Sequence, residues 1–153
     1  MNVRPATEAD LPEILRLLLE DRATPSDEMP PDAPCYLEAL REMQASGVSC
    51  TYVAEHEGRI AGTFMLSFLR HLMRRGALVA QIEAVHIDRP LRGRGLGAEM
   101  IRWAMDEARR RRCCQLQLTS NLQREAAHRF YQRLGFRGSH LGMKLQLAGD
   151  RTG

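Results

Sequence analysis

The chain has 153 residues, with 22 Lys+Arg against 19 Asp+Glu and a net charge of +3; that length suits one domain with one real core, and the charge is too small to imply a nucleic-acid partner by itself. The basic side is almost all arginine, spread along the whole chain, with Lys144 the only lysine. No apolar run approaches the roughly 18 residues of a membrane-spanning helix, and Met1 to Glu8 lacks the apolar core of a signal peptide, so a cytoplasmic protein with no membrane partner is expected.

Residues 2 to 5 predict a short strand. Thr7 then caps a helix, with Asp10 at the third position as a weak capping box. Leu11, Ile14, Leu15, Leu18 and Leu19 mark its buried face. Four prolines, at 25, 30, 31 and 34, make Ala23 to Pro34 a loop. A second helix is expected from Ala33 to Ser46, with Leu37, Leu40 and Met43 inward and Gly47 ending it. Two strands follow, Cys50 to Glu55 and Arg59 to Phe68, joined by a hairpin-like turn at His56-Glu57-Gly58. His71 to Gly76 reads as a polar basic loop.

The strand at 78 to 88 alternates. Val79, Gln81, Glu83, Val85 and Ile87 fall on one face; Leu78, Ala80, Ile82, Ala84 and His86 fall on the other. A helix from Gly95 to Arg111 buries Leu96, Met100, Ile101, Ala104, Met105 and Ala108, and the run Arg109 to Arg112 suits its negative dipole end. A strand at 115 to 120, a helix from Gln123 to Leu134, a left-handed cap at Gly135 and two strands within Phe136 to Leu147 complete the reading. The order β-αα-βββ-α-β-α-ββ predicts an α/β (α+β) fold. Its central sheet is mixed and mostly antiparallel, with six to seven strands and helices on both faces. A single domain is expected over 1–147, with a loose tail at 148–153. Cysteines 35, 50, 113 and 114 form no metal-binding spacing, so reduced thiols and no metal are expected.

Residues 92 to 97 read Arg-Gly-Arg-Gly-Leu-Gly between a strand and a helix. Three glycines strip side chains from the turn, so backbone N–H groups and the positive end of the next helix can close on an anion. Arg89, Arg92 and Arg94 add forked cations. A P-loop is excluded because no lysine follows the glycines. A dinucleotide fingerprint is met only loosely by Gly93, Gly95 and Ala98, and the zone Gln115 to Asn121 lacks the carboxylate that would hold a ribose. Arg92, Gly95 and Gly97 fit a third pattern, Arg/Gln-x-x-Gly-x-Gly/Ala.

That pattern resembles the pyrophosphate loop of the GCN5-related N-acetyltransferases. Gln81 to Asp88 resembles their central splayed strand, Leu116 to Asn121 the next strand, and Ala127 to Phe136 the ending with Phe-Tyr and then Gly-Phe. The resemblance implies an acetyl-CoA-dependent N-acetyltransferase acting on a primary amine of a small molecule or peptide. It implies that Arg92, Gly93, Arg94, Gly95, Leu96 and Gly97 hold the coenzyme A pyrophosphate. Val85, His86 and Ile87 would line the pantetheine arm, Val85 and Ile87 through backbone groups. Tyr131 takes the place of the proton donor to the departing thiolate, although its stripe with Ala127, Phe130 and Leu134 also suits a core tyrosine. Asn121 takes the place of a polar cofactor contact, with a helix N-cap as the equal alternative, and His128 that of a helix-surface residue near the cofactor.

Glu83 is the candidate base. It is a carboxylate in an otherwise apolar strand, partly stripped of water; the alternative is an ion pair with an arginine. His86 is the rival base, and its parity sets it on the opposite face. No cysteine matches a nucleophile arrangement, which favours direct transfer. Two other readings compete: a catalytically silent acyl-CoA-binding sensor on the same fold, and an arginine-rich nucleic-acid binder, which the scatter of arginine argues against. The acceptor would be read by Ala23 to Pro34, His71 to Gly76 and the final strands. Asp21, Asp27, Glu28 and Asp32 can draw a cationic amine but also suit a solvated loop. Homodimerisation is common in the resembled family, and nothing in this sequence shows it.

Overall fold

The computed structural model describes residues 1–20 and 30–145. Asp21, Asp27, Glu28, Pro25 and the tail at 148–153 lie outside the described residues. The chain divides into two compact units, Met1–Leu118 and Thr119–Gly153.

The first unit is built on a five-stranded sheet in sequence order: β1 (Asn2–Pro5), β2 (Ser49–His56), β3 (Arg59–Arg70), β4 (Leu78–Ile87) and β5 (Cys113–Gln117). The first four strands pair antiparallel, and β4 pairs parallel with β5. The parallel step needs a crossover, which α3 (Leu96–Arg110) supplies. This helix buries Leu96, Met100, Ile101, Ala104 and Ala108, the expected stripe except for the partly buried Met105. Trp103 seats it on the sheet, 5.0 Å from the ring of Tyr52 and 5.9 Å from that of Phe64.

The opposite sheet face carries α1 (Leu11–Leu19) and α2 (Pro34–Ser46). Ile14, Leu40 and Val53 form its core, flanked by Leu11, Leu18 and Met43. Leu17, absent from the expected face, is fully buried. A 3₁₀ turn at Glu8–Asp10 precedes α1. Its Asp10 carboxylate accepts from the Thr7 N–H at 2.7 Å and is gripped by both terminal nitrogens of Arg4, which hold the acid well below its ordinary range. The run Arg109 to Arg112 is the helix end it was expected to be. Arg109 pairs with Asp106, and Arg110 and Arg111 both pair with Glu107.

The alternation of β4 is broken, and this corrects the sequence reading of its faces. Glu83 lies opposite Met65, but His86 lies opposite Thr63. Two residues, Ala84 and Val85, therefore face the single Phe64, and Ala84 takes the left-handed conformation at φ 51°. Met65 and Thr63 share a face of β3, so the bulge brings His86 onto the face of Glu83 and turns Ile87 away from it. Gly62 makes room for this. A Cβ there would stand 2.7 Å from the His86 carbonyl oxygen and 2.7 Å from Ile87 Cδ1.

Among its described residues the second unit holds α4 (Glu125–Arg133). Two strands were expected from Phe136 to Leu147; residues 136–145 form none, and the sheet has five strands among the described residues instead of six to seven. The alternating apolar residues there, Leu141, Met143 and Leu145, are 66–88% exposed, so no packed face rewards a pleat.

Candidate active site

Within the first unit, β4 and β5 pair only from Leu78 to Gln81. From Ile82 to Ile87 the strand keeps β3 on one side and has no strand on the other among the described residues. Backbone donors and acceptors along that edge are left to another partner. Val85, His86 and Ile87 lie on this stretch. The Ile87 carbonyl accepts from Arg92 Nε at 2.8 Å. His86 Nδ1 is shielded from solvent with no hydrogen-bond partner among the described residues.

Glu83 is half-buried on β4. Among the described residues it has no hydrogen-bond or ion-pair partner, so the arginine pairing weighed for it is absent there. The bulge sets His86 beside it on the same face, which the unbroken alternation of the sequence hid.

The glycine loop follows β4. Asp88 anchors its start. It is 7% exposed, its N–H donates to the Ala61 carbonyl at 2.9 Å, and its carboxylate accepts from Arg16 of α1 at 3.0 Å. Leu91, with Ala61 and Leu96, plugs the loop into the core. Gly93 and Gly95 stand at φ 77° and 85°, angles that favour glycine, and a Cβ on either would meet nothing within 4 Å. The space next to both glycines is therefore open among the described residues. Gly97 differs: it sits in the first turn of α3 without positive φ. The N–H groups of Ala98 and Glu99 return to the Gly95 carbonyl at 3.0 and 3.1 Å. Those of Leu96 and Gly97 stand at the helix mouth, where a helix has no acceptor of its own.

The three arginines are not equivalent. Arg94 is exposed with no partner among the described residues. Arg92 reaches Glu20 Oε2 at 3.3 Å, and Arg89 donates to the Glu20 carbonyl at 3.3 Å, so both are engaged with the end of α1.

In the second unit, Asn121 Oδ1 accepts from the Gln123 N–H at 2.9 Å, and its backbone carbonyl lies 2.9 Å from His128 Nε2. Asn121 thus forms a side-chain turn ahead of α4 and is not the helix cap, which falls at Arg124. Tyr131 stacks edge-on with Phe130 at 5.1 Å and Phe136 at 5.7 Å. Gly135 at φ 94° turns the chain so that the Phe136 N–H returns to the Tyr131 carbonyl at 3.1 Å, which explains the Gly-Phe ending. The Tyr131 hydroxyl has no partner among the described residues. Burial pushes its phenol above the ordinary range, with Arg124 opposing.

Gly62 and Ala84 were missed as positioning residues. A glycine inside a strand pattern is itself a signal of close backbone approach. Ala84 carries no such signal.

The profile of the acetyltransferase (GNAT) family matches residues 11–136. A glucosamine 6-phosphate N-acetyltransferase of Trypanosoma brucei brucei is 32% identical over 149 residues, 96% of each chain. An aminoalkylphosphonate N-acetyltransferase of Salmonella typhimurium is 32% identical over 88 residues, which is 58% of this chain and 56% of that protein. Among solved structures, a transcriptional regulator from Bacillus halodurans C-125 superimposes with a TM-score of 0.85 at 32% identity, covering 95% of this chain and 99% of that one.

Proposed function

The chain belongs to the acetyltransferase (GNAT) family and is an acetyltransferase, and from that premise we propose that it moves an acetyl group from acetyl-CoA directly to a primary amine of a small molecule or peptide. One observation carries this: among the described residues no strand pairs with β4 from Ile82 to Ile87 on the side away from β3, and the glycine loop follows the end of that same strand. A linear molecule with a pyrophosphate at one end and amides along its arm fits such a groove.

Acetyl-CoA supplies the acetyl group as a thioester. The N–H groups of Leu96 and Gly97, the loop at Gly93 and Gly95, and the guanidinium of Arg94 take the pyrophosphate. Arg92 joins them by giving up its contact with Glu20. The backbone of Val85, His86 and Ile87 lines the pantetheine. Glu83 takes the proton of the ammonium, so that the amine attacks as a free base. Tyr131 gives its proton to the departing thiolate. For Asn121 and His128, cofactor contact rests on the family resemblance alone, because their visible bonds are local.

The names of the two relatives support an acceptor that joins an amine to a phosphate or phosphonate. A silent acyl-CoA sensor is the second reading, favoured by the regulator among the similar structures. Glu83 and Tyr131, each with no local partner for its reactive group among the described residues, weigh against it.

Calorimetric titration tests the cofactor seat. Acetyl-CoA and CoA are expected to bind, and NAD at least tenfold more weakly. Gly95→Val forces a branched side chain into a left-handed position and is expected to cost at least tenfold in acetyl-CoA affinity, about 1.4 kcal/mol. Equal affinity for NAD, or an unaffected variant, overturns the assignment.

A further inference from the structure

Building on the acetyltransferase reading, we propose that the sheet face carrying Glu83 continues into an acceptor cleft under the β3–β4 turn, where Arg74 takes the oxyanion of an acceptor whose amine lies toward Glu83. The cleft has a volume of about 270 Å³ and is lined by His71, Met73, Arg74, Val79, Gln115 and Gln117. Val79 and Gln81 share a face with Glu83, since all three precede the bulge. Gln115 and Gln117 pair with Val79 and Gln81 across β5. The cleft and the candidate base therefore open on one side of one strand, about 13 Å apart from Val79 to Glu83 at a strand's rise. The glycine loop lies past the other end of β4, so this cleft is not the pyrophosphate seat.

The lining selects an anion. Arg74 Nη1 donates to Gln115 Oε1 at 2.6 Å, Gln115 Nε2 to Gln117 Oε1 at 3.2 Å, and Gln117 Nε2 to Gln81 Oε1 at 3.0 Å. A guanidinium can only donate, so it sets the orientation of every amide after it. Each amide oxygen is consumed by its neighbour, and the N–H groups left over are donors. No carboxylate lines the cleft. Arg74 has no acidic partner among the described residues; besides Gln115 it meets only Cys114 Sγ at 4.0 Å. Its charge is thus left for a ligand. Arg74 and Arg75 are both left-handed, at φ 55° and 60°. Residues with a Cβ rarely adopt such positions, and the turn this pair forms sets Arg74 against Gln115 of β5.

The chemistry recognised is an extended acceptor with a primary amine at one end and a phosphate, phosphonate or carboxylate at the other. The test is calorimetry on the CoA-saturated protein with two probes, glucosamine 6-phosphate and glucosamine. Wild type is expected to bind the phosphorylated sugar at least tenfold more tightly. Arg74→Gln, on an exposed turn, is expected to lose that margin while its affinities for glucosamine and CoA hold. Absence of a phosphate margin in wild type, or a margin kept in Arg74→Gln, overturns the cleft. CoA titrated in the same experiment keeps the two ideas apart: failure to bind CoA defeats the acetyltransferase seat, and CoA binding without an Arg74-dependent margin defeats only the cleft.

Discussion

Tyr131 shows how far a residue's role can be read before its surroundings are known. Its helical spacing argued for a core ring, and its rings do stack with Phe130 and Phe136. Only the structure shows a hydroxyl with no bond to make among the described residues. Tyr131→Phe keeps the stacking and deletes the donor. A kcat loss of roughly 10²- to 10⁴-fold is expected, with acetyl-CoA affinity unchanged by calorimetry; equal turnover returns Tyr131 to packing. Glu83 stands out in the sequence as a carboxylate that interrupts an apolar strand, and its role as base is a proposal. Glu83→Gln is nearly isosteric and cannot take a proton. Its kcat is expected to fall and the acidic limb of its kcat/KM profile to flatten, whereas a rise in KM alone would make Glu83 a substrate contact. His86 was misjudged. Its parity was counted along an unbroken strand, and one extra residue reversed it.

That extra residue belongs to the element scale. A bulge built on glycine is visible in a sequence because glycine marks the left-handed position; here Ala84 holds it. The second half of the device, Gly62, is visible as a glycine inside a strand pattern. Gly62→Ala pushes a methyl to 2.7 Å from the His86 carbonyl. Overpacking of this kind is expected to cost about 1–3 kcal/mol in urea unfolding, and activity should fall further than stability explains, because Glu83 and His86 are set by the same bulge. Gly47→Ala is the control. Gly47 stands at φ 65°, with no atom within 4 Å of an added Cβ, so its variant should lose stability through backbone strain alone and keep its rate per folded molecule. The glycine loop was the most legible element of all. Its geometry refines the sequence reading: Gly93 and Gly95 stand at angles that favour glycine, and Gly97 lies in the first turn of α3 without one.

At the scale of the molecule, the order of elements through α4 was legible because periodicity, caps and turn residues agreed along the chain. Thr7 and Asp10, the Gly47 cap and the Gly135 cap all stand where their chemistry put them. The final strands were not legible. Leu141, Met143 and Leu145 alternate as a strand would, but alternation states a preference, and pairing requires a neighbour that no local pattern supplies. The acceptor was illegible for a related reason: Arg74 and the Gln115 and Gln117 amides of the proposed cleft lie about forty residues apart in sequence and meet only in the fold. The central claim, direct acetyl transfer to an amine, is most directly tested by the release of CoA thiol from acetyl-CoA across a panel of amino sugar phosphates, aminoalkylphosphonates, polyamines and peptides. Amine-dependent release well above the rate without amine, with the acetyl group recovered on the amine nitrogen, is the predicted result. Tight binding of acetyl-CoA with no amine-dependent release from any member of the panel would contradict it.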